Sequence, residues 1–96
     1  GGASTAEAKR HGQLKLLERA GAIRGLELHP VYRIVIDGRP VKMRNGHVAK
    51  YTADFRYFEG EEHVVEEVKG YIVRDYPLRR ALVEHIYHVK IREVRA

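Results

Sequence analysis

The most informative run in the chain is Val64-Val65-Glu66-Glu67-Val68-Lys69-Gly70, taken with Tyr51-Thr52-Ala53-Asp54-Phe55-Arg56-Tyr57-Phe58 before it. Val64, Val65 and Val68 put β-branched residues on both parities of a short segment, the pattern of a central strand covered on both faces. A period of two places Glu67 and Lys69 on one face, roughly 6.6 Å apart along the strand, with Val64, Glu66 and Val68 on the other. Glu59-Gly60-Glu61 reads as a tight turn. A long strand over residues 48–58 and a strand over residues 63–69 are therefore expected to lie antiparallel. That register carries Asp54 towards the Gly70 end of its partner, close to Glu67 and Lys69.

Outward from this hairpin, residues 1–3 read as a flexible N-terminal end and residues 4–96 as a single domain. Ser4-Thr5-Ala6-Glu7 has the form of a capping box. Ala8, Leu14, Leu17 and Ala20 lie near one stripe of a first helix, and Gly21 stops it. Pro30 introduces a β-branched strand over residues 31–36. Asp37-Gly38 and Asn45-Gly46 are turn dipeptides enclosing a basic, exposed hairpin or loop. Towards the C-terminus, Asp75 is placed to cap a second helix with Pro77 in its first turn. Leu78, Leu82 and Ile86, with Ala81 and His85 beside them, give that helix a core face. Val89, Ile91 and Val94 alternate with Lys90, Arg92 and Glu93 in a closing strand. The predicted order is α-β-β-β-α-β: an α/β fold with a mixed sheet of three or four strands flanked by helices.

A chain of 96 residues supports one core and no second. The absence of cysteine excludes disulfide scaffolds, thiol nucleophiles and Cys-ligated metal sites, and fits a reducing compartment. No apolar run approaches the ~18 residues of a membrane span. Lys and Arg number 18 against 13 acids, a formal charge of +5, which favours a polyanionic partner, nucleic acid or an anionic membrane surface. Arg39, Lys42, Arg44 and Lys50 form a basic loop, with Asp54 the only acid between Arg39 and Arg56, and are candidates for tracking a phosphate backbone. Arg79 and Arg80 lead the second helix beside its N-terminal amides, where phosphate binds readily; the alternative is an ordinary solvated face. The acids gather instead at Glu59, Glu61, Glu62, Glu66 and Glu67. Carboxylates repel phosphate unless a metal ion stands between them.

Asp54, Glu67 and Lys69 have a definite chemical use. Hard carboxylate oxygens suit Mg²⁺ or Mn²⁺, which keep waters for a phosphate to displace. Phosphodiester hydrolysis needs a deprotonated water and positive charge against the leaving oxygen. A carboxylate-held divalent ion supplies both, and a nearby lysine can orient the water. The competing explanation is a cross-strand ion-pair network. The tyrosines read as core or rim rather than as platforms for bases. The six histidines show no ligand spacing, His85 and His88 being the only close helical pair, and are read as non-metal.

On these residues the chain resembles the PD-(D/E)xK nuclease superfamily, and within it a small phage-type branch related to Holliday-junction resolvases. The likeness also takes in Glu7-Ala8-Lys9, the run from Leu17 to Ile23, Leu26-Glu27-Leu28-His29-Pro30 and Tyr76-Pro77-Leu78-Arg79-Arg80. It implies a restriction-endonuclease-like minimal core and a Mg²⁺- or Mn²⁺-dependent endodeoxyribonuclease acting on branched or structured DNA. It further implies 5′-phosphate and 3′-hydroxyl ends. Asp54 and Glu67 would be metal ligands, the Val68 carbonyl a third, and Lys69 the catalytic lysine. Glu7 would be the extra acid on the first helix facing the same metal, its other reading being the helix cap. Ala53 replaces the usual Pro, and His29 stands where Gln is common, as a structural or DNA-proximal residue. A homodimer is expected from symmetric cutting of two strands, with no membrane and no small-molecule cofactor. The expected location is cytoplasmic, the host-cell interior if phage-encoded. The alternatives are a non-catalytic nucleic-acid-binding module on the same fold and a structural or regulatory protein whose acids and lysine only pair with each other.

Overall fold

The structure is a computed structural model that describes residues 5–69 and 74–95, with Lys69 described by its backbone alone. Helix α1 spans Thr5–Arg19, so Ser4 and the flexible end expected before it lie outside the described residues. Leu14 is fully buried, and Glu7, Arg10 and His11 are half-buried on the turns before it. Leu17, expected on the core stripe, is exposed together with Ala8 and Ala20. The stripe that meets the sheet is polar in its N-terminal half because the sheet presents a glutamate there. Gly21, at φ 82°, ends the helix. Its N–H reaches the Glu18 carbonyl at 3.0 Å, and that of Ala22 reaches Leu17 at 2.9 Å, satisfying last-turn carbonyls as a left-handed cap does.

Strand β1, Arg24–Leu28, escaped the sequence reading. Arg-Gly-Leu-Glu-Leu has no β-branched residue and is largely exposed, as an edge strand can be. Its pairing with the neighbouring strand shifts register between Arg24 and Glu27, around Gly25 at φ 67°, a bulge position that glycine adopts without a steric cost. The strand expected over residues 31–36 is instead two, β2 (Val31–Arg33) and β3 (Val35–Ile36), separated at buried Ile34. Strand β3 turns through Asp37 and Gly38, both at positive φ, into β4 (Arg39–Pro40). A bridge from Lys42 to Val48 continues this basic arm, with Asn45-Gly46 at its tip.

The predicted strand over residues 48–58 is likewise broken. Strand β5 (Lys50–Thr52) pairs with β2, whereas β6 (Phe55–Glu59) joins the main sheet. At the joint the Ala53 N–H donates to the Pro30 carbonyl at 3.0 Å and that of Asp54 to the Glu66 carbonyl at 3.2 Å. The backbone changes partner there, which a hydrophobic pattern does not reveal. Strand β7 (Glu62–Lys69) runs antiparallel to β6, with Glu59 opposite Glu62 and Phe55 opposite Glu66. Strand β8 (Lys90–Arg95) runs parallel to β7 on its other side. The main sheet has the order β1-β6-β7-β8, so the valine-rich strand is central, as its composition predicts.

Helix α2, Tyr76–Tyr87, connects the two parallel strands. Its core face is Val83, fully buried, with Leu82, Ile86 and Tyr76 packed around it, while Leu78 is 65% exposed. The predicted Leu78 contact fails because the helix is turned so that Val83 points inward. Asp75 precedes the helix without a side-chain capping bond; its carboxylate takes Arg79 Nε at 2.8 Å instead. Alternation along β7 divides the core between the two faces of the sheet. Val64 joins Leu14, Ile23, Phe55 and Tyr57 under α1. Val65 joins Tyr51, Ala53, Val83 and Ile91 under α2. The molecule is thus mixed α/β, a mixed sheet between two helices.

Candidate metal centre

Three chain segments meet where β6 and β7 separate. Glu7 projects from the first turns of α1, His29 from the connection between β1 and β2, and Asp54 from the joint between β5 and β6. One donor atom of each lies within 4.8 Å of the others, and among the described residues these three form the one such group of histidines and acids. His29 Nε2 is 2.8 Å from Glu7 Oε1. The Asp54 carboxylate is oriented by the backbone: its Oδ2 accepts the Val68 N–H at 2.7 Å. His29 is held at φ 51°, and its own N–H donates to the Asp54 carbonyl at 2.9 Å. A left-handed backbone at a non-glycine residue costs about 1 kcal/mol, and here it aims the imidazole at the two acids.

Glu67 sits one step beyond the Phe55–Glu66 pair that ends the β6–β7 ladder, at the same open end of the hairpin as Asp54. Its half-buried carboxylate accepts the Tyr51 hydroxyl and is not one of the three clustered donors. Burial first, and the bond to Glu67 second, push the Tyr51 phenol well above its ordinary 10, so Tyr51 is a permanent donor to that carboxylate at any physiological pH. Lys69 shares the strand two residues on, its backbone beside that of Arg95 in β8; its side chain lies outside the described atoms. Glu7 adopts the sheetward orientation required of a ligand, while its capping role involves Ser4, outside the described residues.

Glu66 faces the other way, as the period of two requires, and is fully buried. Arg10 grips it with both fork nitrogens, Nε to Oε1 at 2.8 Å and Nη2 to Oε2 at 2.7 Å. The Tyr57 hydroxyl donates to the same carboxylate. Burial first, then this bond, raise the Tyr57 phenol to about 12. A bidentate arginine pair under a helix fixes that helix in register. Arg10 follows Glu7 by three residues on α1, so the pair sets where Glu7 stands over the strand ends.

Two contributors have other roles than the sequence suggests: His29, expected to be structural or DNA-proximal and not a metal donor, joins the two acids, and Arg10 orients the helix. His29 carries no ligand spacing in sequence, because its partners are 22 and 25 residues away; its only local sign is a histidine before proline at a strand end. Arg10 was one cation of many. Among the predicted phosphate contacts, Arg39, Lys42, Arg44 and Lys50 are exposed along the arm, and none makes an ion pair among the described residues. Arg79 and Arg80 have intramolecular partners: Arg79 holds Asp75 and the Lys50 carbonyl, and Arg80 holds Glu93 at 3.0 Å. No helix among the described residues is long and apolar enough to cross a membrane.

A family model described as "Protein of unknown function (DUF1064)" matches residues 3–96. The chain belongs to the DUF1064 family. Neither the curated proteins nor the solved structures contain a match to it. The chemistry of this family member therefore rests on its own donor set. Two carboxylates within 4.8 Å of one another repel unless a proton or a cation lies between them. Carboxylate oxygens suit Mg²⁺ and Mn²⁺, and imidazole adds affinity for the later divalent ions. The mixed set fits a divalent cation.

Proposed function

We propose that the chain is a divalent-metal-dependent endodeoxyribonuclease with a restriction-endonuclease-like minimal core, acting on branched or structured DNA. The observation that carries this reading is the convergence of Glu7, His29 and Asp54 at the end of the β6–β7 pair that also bears Glu67 and Lys69. Asp54, Glu7 and Glu67 would hold Mg²⁺ or Mn²⁺, with the Val68 carbonyl as a further oxygen. A divalent ion bound there supplies a hydroxide at neutral pH and positive charge against the leaving oxygen. Lys69 would orient the attacking water, and the Tyr51 hydroxyl would hold Glu67 in place. Exposed Arg39, Lys42, Arg44 and Lys50 would follow the strand backbone. Arg79 and Arg80 would reach phosphate only by releasing their present partners. Hydrolysis would leave 5′-phosphate and 3′-hydroxyl ends, and a homodimer would place two sites about a two-fold axis. The setting would be the cytoplasm, the host-cell interior if phage-encoded.

The deciding experiment is cleavage of supercoiled and four-way-junction DNA with Mg²⁺ or Mn²⁺. Nicking is expected in the wild type and is lost in Asp54→Asn by more than the roughly 10–100-fold that removal of a metal-supporting neighbour costs. Ca²⁺ is expected to support binding without cleavage. Undiminished cutting by the double alanine variant at Glu67 and Lys69 would refute the site.

A second reading is favoured by one specific observation: Asp54, Glu67 and Glu7 each already have a protein partner, in Val68 N–H, Tyr51 and His29. A cluster satisfied in this way belongs equally to a non-catalytic nucleic-acid-binding module. DNA affinity that falls with salt, and no cleavage under any divalent ion, is the outcome that selects it.

A further inference from the structure

Val68, whose N–H is bonded to Asp54, also lines a cleft of about 130 Å³ between α1 and the end of β8. Its floor is Val68 and Val94, register partners in the parallel pair of β7 and β8. Its rim is Lys9, Arg10, Gln13 and Arg95. Lys9 and Gln13 are one helical turn apart on the same face. No acid is among the described residues that line the cleft, and Glu66, the fully buried partner of Arg10, is already gripped by it. Arg10 Nη1 donates to Gln13 Oε1 at 3.1 Å, which leaves the Gln13 amide NH₂ as a donor. Lys9 and Arg95 are exposed and make no ion pair among the described residues.

Donors alone around an apolar floor select an anion. The volume is well below the roughly 300 Å³ at which pockets begin to enclose a whole small molecule, so it admits one anionic group and not a nucleotide. We infer that this cleft binds a phosphodiester phosphate of a nucleic-acid strand that passes the carboxylate cluster. The Val68 N–H bonded to Asp54 joins the two places through a single peptide. The strand would therefore enter along the first helix, on the face away from α2. The inference rests on the nucleic-acid reading above and not on catalysis.

Its test is duplex DNA binding in EDTA across a salt series, where cleavage cannot occur. Each phosphate contact contributes a slope of about 0.9 in log affinity against log salt. The double variant Lys9→Gln with Arg95→Gln is expected to bind less tightly with a slope shallower by about 1.8. The charge-matched control, Lys15→Gln with Lys90→Gln, is expected to keep the wild-type slope, and Lys9→Arg with Arg95→Lys to restore it. Equal slopes for the test and control pairs overturn the inference whether or not the protein cuts DNA. No cleavage by the wild type under any divalent ion, with the slope difference intact, overturns only the nuclease reading. Amide shifts at Lys9 to Gln13 on adding inorganic phosphate, without DNA affinity, would make this a small-anion site and overturn the strand assignment.

Discussion

Glu66 and Glu67 are adjacent in sequence and identical in chemistry, yet one strand's pleat gives them opposite surroundings. Glu66 is sealed under α1 and meets a guanidinium and a phenol. Glu67 is half-buried on the α2 face, with Tyr51 as donor. The first arrangement satisfies a charge completely and closes it off, the form of a structural pair. The second keeps its carboxylate half-buried at the open end of the hairpin. Adjacent acids in a central strand are therefore not two copies of one signal.

The widest separation between them should appear on exchanging each for its amide. Glu67→Gln is expected to lower metal-dependent cleavage by at least about 100-fold while leaving the melting temperature close to wild type. Glu66→Gln should do the reverse. It strips Arg10 of its counter-charge, costing about 3 kcal/mol, the low end for breaking a buried pair because Arg10 is partly exposed. Denaturant unfolding with parallel cleavage assays reads both, and equal stability losses would erase the distinction.

A smaller effect tests how Glu67 is held. Tyr51→Phe removes one hydroxyl donor from its carboxylate. The expected result is roughly a 10-fold loss of activity, with about 1 kcal/mol of stability. Loss of folding with no change in specific activity would assign Tyr51 to the core alone.

The smallest effect lies at the far end of the same hairpin. His63, stacked on Phe58, has its pKa lowered from 6.5, first by burial and second by Arg56. The unfolded chain therefore takes up a proton before the folded one does. Stability is full above pH 6.5, then falls as the pH drops towards the folded-state value. His63→Phe should flatten stability against pH over that window without altering Mn²⁺ affinity, as measured by titration calorimetry.

The central strand was legible because Val64, Val65 and Val68 announce burial on both faces, and the turn at Gly60 fixed its partner. Strand β1 was not, since Arg24-Gly25-Leu26-Glu27-Leu28 carries neither alternation nor β-branching and is held by its neighbour. The break at Ala53-Asp54 was hidden for a related reason: apolar residues continue through it, and only the change of hydrogen-bond partner marks it. That Asp54 and Glu67 lie at the same open end of the hairpin could be read from the turn alone, a local inference. His29 and Arg10 come from segments whose approach depends on the whole topology. The face of α1 was misjudged at Leu17 and Ala8, which are exposed, while Arg10 turns to the sheet to meet Glu66.

The joint at Asp54 also bears on the order in which the chain acquires its shape. The β6–β7 hairpin closes through a two-residue turn between Glu59 and Glu62 and can form within microseconds. The cluster at its open end needs α1 and the segment at His29, 22 residues apart, to arrive as well, a slower search through longer loops. Bringing Glu7, His29 and Asp54 together is thus expected late in folding. A cation that binds only the finished arrangement would stabilise it by mass action, about 2.7 kcal/mol at a hundred times its dissociation constant.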